Sequence, residues 1–283
     1  MAPRPDNARI QRPLKGIPLR ALAPNAVTAL ALCSGLTGVR FAIGAIGRVP
    51  GSERWWLEWQ MAAALIILAG VLDGLDGRIA RLLKGESRFG AELDSLSDVI
   101  AFGVSPAIIM FLWSLQALPR YGWLFALGHA VCCALRLARF NAQIDASEQP
   151  HKSAGFLTGV PAPAGAGLLM LPLYLWLCTG LDIFRETYVV APWAAFVGFL
   201  LISNVATYSW SSLRLRSGIR LWLLLAVALL GAALIVATWE TLAIASIAYV
   251  LSIPFGMRSY ARVRRQRAAA AARSAQERPA AEA

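Results

Sequence analysis

Charge is what this 283-residue chain has least of: charged residues make up 15% of it and hydrophobic residues 58%. Soluble domains carry about 25% charged residues, so the composition excludes an ordinary soluble enzyme and, equally, a disordered chain. Acidic groups are the scarcer kind, with 16 Asp+Glu against 27 Lys+Arg and a net charge of +11. Histidine occurs twice and cysteine four times. Cys33, Cys132, Cys133 and Cys178 all lie in apolar runs with neither metal-ligand spacing nor a disulfide framework, and they read as small packing residues. No apolar core precedes Ala21, so a cleavable signal peptide is not expected. The basic excess lacks base-reading or stacking groups beside it. Nucleic acid is therefore not an expected partner, whereas an anionic bilayer surface is.

Long apolar stretches are what the chain has instead. Eight can be read, at 25–46, 59–77, 94–114, 122–142, 159–180, 188–208, 219–238 and 240–257, the last two joined by a short turn at Trp239–Thr241. The expected fold is all-α: a polytopic membrane helix bundle of about eight transmembrane helices. Eight spans need roughly 160 residues, which leaves no room for a second globular domain. The expected organisation is a basic N-terminal tail over 1–20, a membrane domain over 21–257, and a basic, Ala-rich tail over 258–283. That last tail is expected to be solvated and disordered, the alternative being a helix lying on anionic lipid. Trp55, Trp56, Trp59, Trp113, Trp123 and Trp239 fall near the ends of the stretches, as interfacial anchors do. No internal repeat is visible.

Basic residues orient the bundle. The N-terminal tail, the segments after the second, fourth and sixth stretches, and the C-terminal tail hold 22 of the 27 Lys and Arg. Only Arg40, Arg48, Arg54, Arg120 and Arg185 fall on the other side. Positive charge stays in the cytoplasm, so an even number of spans with both termini cytoplasmic is expected.

The scarce acids are concentrated. Between Asp73 and Asp98 the chain reads DGLDGRIARLLKGESRFGAELDSLSD. Asp73 and Asp76 are one turn apart, as are Asp94 and Asp98, so each pair shares a helix face. A Gly- and Arg-rich loop of about a dozen residues is expected to let the two helices run antiparallel, with their carboxylates converging. Acids within an apolar bundle mark a functional site. Four of them make a hard oxygen ligand set suited to Mg²⁺ or Mn²⁺, and enough for two ions. Gly74, Gly77 and Gly90 leave room for a phosphate beside them, and Arg78 and Arg81 are placed to hold one. The competing reading has the aspartates capping helix ends and pairing with Arg78, Arg81 and Arg88.

The pattern D-x2-D-G-x2-A-R-x8-G-x3-D-x3-D, carried by Asp73, Asp76, Gly77, Ala80, Arg81, Gly90, Asp94 and Asp98, resembles the signature of the CDP-alcohol phosphatidyltransferases. The stretches Phe89–Ala107, Ala134–Asn141, Phe156–Ala164 and Pro24–Thr28 are similar to the serine-using bacterial branch. This resemblance implies transfer of a phosphatidyl group from CDP-diacylglycerol to L-serine at the cytoplasmic face of a bacterial inner membrane, by a homodimer. It implies that Asp73, Asp76, Asp94 and Asp98 hold two divalent ions and that Asp98 is the general base. It also implies that Asn25, Thr28, Asp73, Gly77, Ala80, Arg81 and Gly90 border the donor. Branches using glycerol phosphate, inositol phosphate or choline share the core signature, so those acceptors stay open.

A serine pocket needs a cation for the carboxylate, and Arg136, Arg139 and Asn141 at the end of the fourth stretch are the candidates; positive-inside anchoring, or pairing of an Arg with the aspartates, accounts for them equally well. Asn25 and Thr28 also suit a helix cap, and Gly159, Pro161 and Pro163 suit a helix start. His129 is expected to be a packed, hydrogen-bonded residue, and His151 to lie on a loop. A cation-coupled transporter would place its acids near mid-span in repeated halves, and the tryptophans that a Trp-rich membrane scaffold would use are better explained as interface anchors. The orientation is checked by a single cysteine at Lys84 in a cysteine-free background. It is expected to react with an impermeant thiol reagent only after cells are opened; labelling of intact cells overturns the topology.

Overall fold

The computed structural model describes residues 19–144, 156–203, 206–208 and 220–277. Their regular secondary structure is helical except for one short antiparallel ribbon. Helix α1 (Leu19–Ile46) is followed by α2 (Glu53–Leu82) and by α3 (Arg88–Asp98). A π-helical segment (Val99–Val104) runs from α3 into α4 (Ser105–Trp113), and α5 (Gly122–Ile144) comes next. After β1 (Phe156–Thr158) come α6 (Ala162–Leu169), α7 (Leu171–Thr179) and α8 (Thr187–Ile202), then β2 (Ala206–Tyr208), α9 (Arg220–Val236) and α10 (Thr238–Glu277). Each apolar stretch read from the sequence contains helix, although the one read over 188–208 leaves helix at Ile202 and ends in β2. Among the described residues five helical segments are long and apolar enough to cross a membrane (α1, α2, α3 through α4 taken as one, α5 and α10), or six if the bent α6–α7 pair is one span, whereas Thr187–Ile202 and Leu224–Val236 are shorter.

Several boundaries and environments differ from expectation. The turn between the last two helices is at Ala237 rather than Trp239–Thr241. The C-terminal segment is not disordered along its backbone: α10 continues as one helix to Glu277, where alanines favour helix and no proline lies between Pro254 and the helix end. The ribbon pairs Phe156 with Tyr208 and Thr158 with Ala206, an exception to an all-α chain. Gly159, with φ +79°, turns it into α6, and a side chain there would meet the Ser203 carbonyl. Trp55, Trp59 and Trp113, expected at the bilayer interface, are buried instead; Trp123 is exposed as an anchor should be. Lys152 and His151 lie outside the described residues.

Close packing begins with α1 and α2. Ala31, Ser34, Gly35, Gly38, Ala42 and Ala45 form a buried stripe of small residues on α1, opposite Ala62, Ala63, Ile66 and Ala69 of α2. Lipid tails are as apolar as leucine, so helices in a bilayer associate through such close contacts rather than through the hydrophobic effect. A Cβ on Gly38 would lie 3.0 Å from the Ala62 carbonyl oxygen, and the Ser34 hydroxyl donates to the Leu65 carbonyl at 2.8 Å.

Two prolines shape the rest. Pro106 and Pro172 have no N–H, so the carbonyls of Phe102 and Leu168, four residues earlier, lose their usual helical donors. Water is absent from a bilayer core, and such a carbonyl needs another partner. His129 Nε2 on α5 reaches the Phe102 oxygen at 3.2 Å. Trp193 Nε1 on α8 donates to the Leu168 oxygen at 2.7 Å. The α6–α7 pair bends by 43° at this break. Trp193→Phe is expected to lower thermal stability by an amount equivalent to about 1–3 kcal/mol, the cost of an orphaned buried carbonyl. With Pro172→Ala supplying the missing N–H, the same substitution is expected to cost much less, a coupling that a double-mutant unfolding series measures.

Candidate active site

Asp73 and Asp76 stand near the C-terminal end of α2, and Asp94 and Asp98 stand on α3. The connection between the helices is tighter than the dozen residues expected. It comprises residues 83–87, because α2 continues to Leu82 and α3 begins at Arg88. The Gly85 N–H bonds the Ala80 carbonyl at 3.0 Å, and Lys84 takes the left-handed conformation (φ 49°) that closes such helix ends. Ser87 starts α3 by accepting the Gly90 N–H at 3.0 Å.

The turn brings the acids together. Asp73, Asp76 and Asp94 offer carboxylate oxygens within 4.8 Å of one another. Asp98, at the end of α3, is not one of these three, but it lies close enough to Asp73 for the two carboxyl groups to interact directly. Two carboxyl groups in that relation need a proton or a cation between them. Among the described residues, no ion pair links the aspartates to Arg78, Arg81 or Arg88; the ion pair formed is Arg48–Glu58, at 2.9 Å. The donor set is oxygen only, partly buried and short of positive charge, which fits a hard divalent cation.

Helix α1 supports the cluster from behind. The Thr28 hydroxyl donates to Asp76 Oδ2 at 2.7 Å, and Asp76 is buried. Ser97 Oγ donates to the Thr28 carbonyl at 3.2 Å, tying α3 to the same turn. Asn25 and Thr28 thus do not cap a helix. Both lie inside α1, which begins earlier than the apolar pattern indicated. A Cβ on Gly90 would lie 2.8 Å from Asn25 Oδ1, so glycine is what admits Asn25 against α3. Beside the carboxylates, Cβ atoms on Gly74 and Gly77 would meet nothing within 4 Å. That open surface has room for a phosphate, with Arg78 and Arg81 exposed and Ala80 half-buried along the same turn.

The three acceptor candidates separate. The Arg139 guanidinium donates to the Ile202 carbonyl at 3.0 Å, closing the last turn of α8. Asn141 donates to Ser95 Oγ at 3.0 Å. Arg136 is half-buried and close enough to Asp98 for direct electrostatic attraction, and its Nε is buried without a hydrogen-bond partner. Ser95 and Ser97 were not singled out in the sequence. Ser97 follows Asp94 at i+3, a spacing that announces a shared face but not its partner on α1.

The sequence profile of the CDP-alcohol phosphatidyltransferase family matches residues 21–210, and that of CDP-alcohol phosphatidyltransferase 2 matches residues 219–254. The chain is 37% identical over 247 residues to the CDP-diacylglycerol–serine O-phosphatidyltransferase of Mycobacterium tuberculosis, covering 87% of this chain and 81% of that protein. It is 36% identical to the Mycobacterium leprae protein of the same name over 83% of this chain and 74% of that one. The Helicobacter pylori protein of that name is 34% identical over 65% of this chain and 70% of its own length.

Thr28→Val removes the hydrogen bond that orients Asp76. Loss of such a supporting contact is expected to weaken Mn²⁺ binding by about 10–100-fold, while Thr28→Ser retains most of it. Titration of the purified protein with Mn²⁺ reads the difference, and equal affinities would show that Thr28 does not support the ligand set.

Proposed function

The chain belongs to the CDP-alcohol phosphatidyltransferase family, and from that membership and its serine-using relatives we infer the reaction it performs. It transfers the phosphatidyl group of CDP-diacylglycerol to the hydroxyl of L-serine, giving phosphatidylserine and CMP. The observation that carries this reading to particular residues is the convergence of Asp73, Asp76 and Asp94, with Asp98 against Asp73.

In the proposed mechanism Asp73, Asp76, Asp94 and Asp98 hold divalent cations, two by resemblance and Mg²⁺ or Mn²⁺ by donor chemistry. Ions held by these four carboxylates would draw charge from the donor's phosphate oxygens and so ease departure of CMP. The open backbone at Gly74 and Gly77, with Ala80 and the exposed Arg81, borders the nucleotide phosphates; Asn25, Thr28 and Gly90 close the same side from α1 and α3. Serine's hydroxyl is a weak nucleophile at neutral pH and needs a base within hydrogen-bond reach. Asp98 takes that proton as the serine oxygen attacks the phosphorus bearing diacylglycerol. Arg136, the one acceptor candidate beside Asp98, meets the serine carboxylate; Arg139 and Asn141 hold the surrounding helices.

The membrane arrangement agrees with the same reading. We place eight spans in a bacterial inner membrane, with both tails and the aspartates on the cytoplasmic side, where the head of the donor lipid lies. The helical segments at the positions of all eight apolar stretches and the one-sided distribution of arginine support it. The catalytic domain is 21–257, with tails over 1–20 and 258–283, and the working unit is a homodimer.

A head-group assay tests this. Purified protein given CDP-diacylglycerol and Mn²⁺ is expected to release CMP with serine, and not with glycerol 3-phosphate, inositol phosphate or choline. Asp98→Asn is expected to lower turnover by at least about 100-fold, as loss of a general base does. Release with a different alcohol keeps the site and overturns the acceptor. Absence of release with any acceptor from folded protein overturns the reaction.

A further inference from the structure

His129 has no part in the chemistry above, yet it is 1% exposed and holds the segment just beyond Asp98. Within Val99–Val104 the helix is wide, and the Ser105 N–H bonds the Ile100 carbonyl five residues back. Such π segments recur at functional sites, because the extra residue turns the helix before them relative to the helix after. On the C-terminal side α4 is anchored: Ser105, Pro106, Ala107, Ile109, Met110 and Trp113 are buried. On the N-terminal side α3 carries Asp94 and Asp98. Removing one residue from the wide turn would rotate Asp98 by about 100° about the helix axis, away from Asp73.

Helix α5 reads this segment at three successive turns of one face. His129 Nε2 is 3.2 Å from the Phe102 oxygen that Pro106 leaves without its helical donor. A carbonyl only accepts, so Nε2 carries the hydrogen. One turn on, Cys133 packs on Gly103, where a Cβ would lie 3.1 Å from Cys133 Cβ. One turn further, Arg136 attracts Asp98. The imidazole thus completes the backbone that the proline leaves open, at the level where the wide turn must be held.

We propose that His129 is a positioning residue for the aspartate site: by donating to the Phe102 carbonyl it holds the π register that points Asp98 at Asp73. The proposal rests on the reading of Asp98 as part of the metal and catalytic group. Its test uses the full chain in lipid nanodiscs and three variants. His129→Gln retains an N–H donor, His129→Leu removes it, and Pro106→Ala gives the Phe102 carbonyl an N–H from its own helix and favours the ordinary register.

His129→Gln is expected to stay within about 3-fold of the parent in kcat and in half-saturating Mn²⁺. His129→Leu is expected to lower kcat by about 10–100-fold and to raise the Mn²⁺ midpoint, with the KM for serine little changed, as a misplacement of the order of 1 Å does. Pro106→Ala is expected to lose activity and Mn²⁺ affinity while unfolding at the same or a higher temperature, a combination that a general loss of packing does not produce. Parental kcat and Mn²⁺ affinity in His129→Leu overturn the proposal. So does a His129→Gln as impaired as His129→Leu, since shape rather than the donor would then matter. If His129→Leu does not fold, Pro106→Ala decides, and parental Mn²⁺ affinity in it overturns the proposal. Direct Mn²⁺ titration reads the register even if serine proves not to be the acceptor, so the two readings fail separately.

Discussion

Carboxylates brought together inside an apolar bundle repel one another and have shed much of their hydration, so something positive must answer them. Asp73, Asp76, Asp94 and Asp98 stand in that relation, and among the described residues Arg136 is the cationic side chain that attracts Asp98. The remaining negative charge makes the cluster compatible with divalent ions. Much of the surrounding structure serves to hold this unfavourable arrangement. The small-residue stripe draws α1 against α2 closely enough for Thr28 to bond Asp76, and Ser97 then fastens α3 to the same turn.

A second constraint is that backbone polar groups in a bilayer have no water to turn to. Pro106 and Pro172 each leave a gap in the helical hydrogen-bond ladder, and each gap is met by a ring N–H from a neighbouring helix. The solution costs little packing, since His129 and Trp193 fill space as well as donate. It also ties the geometry of one helix to the position of another. At α4 that link runs toward the aspartates; at α6–α7 it sets the bend beyond the ribbon.

The far end of α2 shows a different use of aromatic residues. Trp55, Trp56, Trp113 and Trp176 pack edge-on and stacked around Arg185, whose guanidinium lies 5.2 Å from the Trp55 ring and donates to the Trp113 carbonyl at 2.9 Å. Some 18 residues of helix, about 27 Å at 1.5 Å per residue, separate this cluster from Asp73. A cation held over ring faces satisfies both its charge and the apolar surroundings. This is why tryptophans near span ends need not face lipid headgroups. Span-end position is legible in a sequence, whereas the helix face on which a ring sits depends on the neighbours it meets.

Helical class, segment positions and the aspartate pairs were legible because they depend on local quantities: apolar runs as long as a bilayer is thick, and acids at one-turn spacing where acids are otherwise scarce. The eight signature positions carried the family likeness for the same reason, since they recur at fixed offsets along two helices. What only the tertiary structure decided were the relations between distant segments. Thr28 became a support for Asp76 rather than a cap. Arg136 was separated from Arg139 and Asn141. The loop between the acids shortened to residues 83–87, and His129 acquired the Phe102 carbonyl as partner. Each depends on which helix faces meet and at what height, a matter of three-dimensional packing that spacing along one chain does not encode.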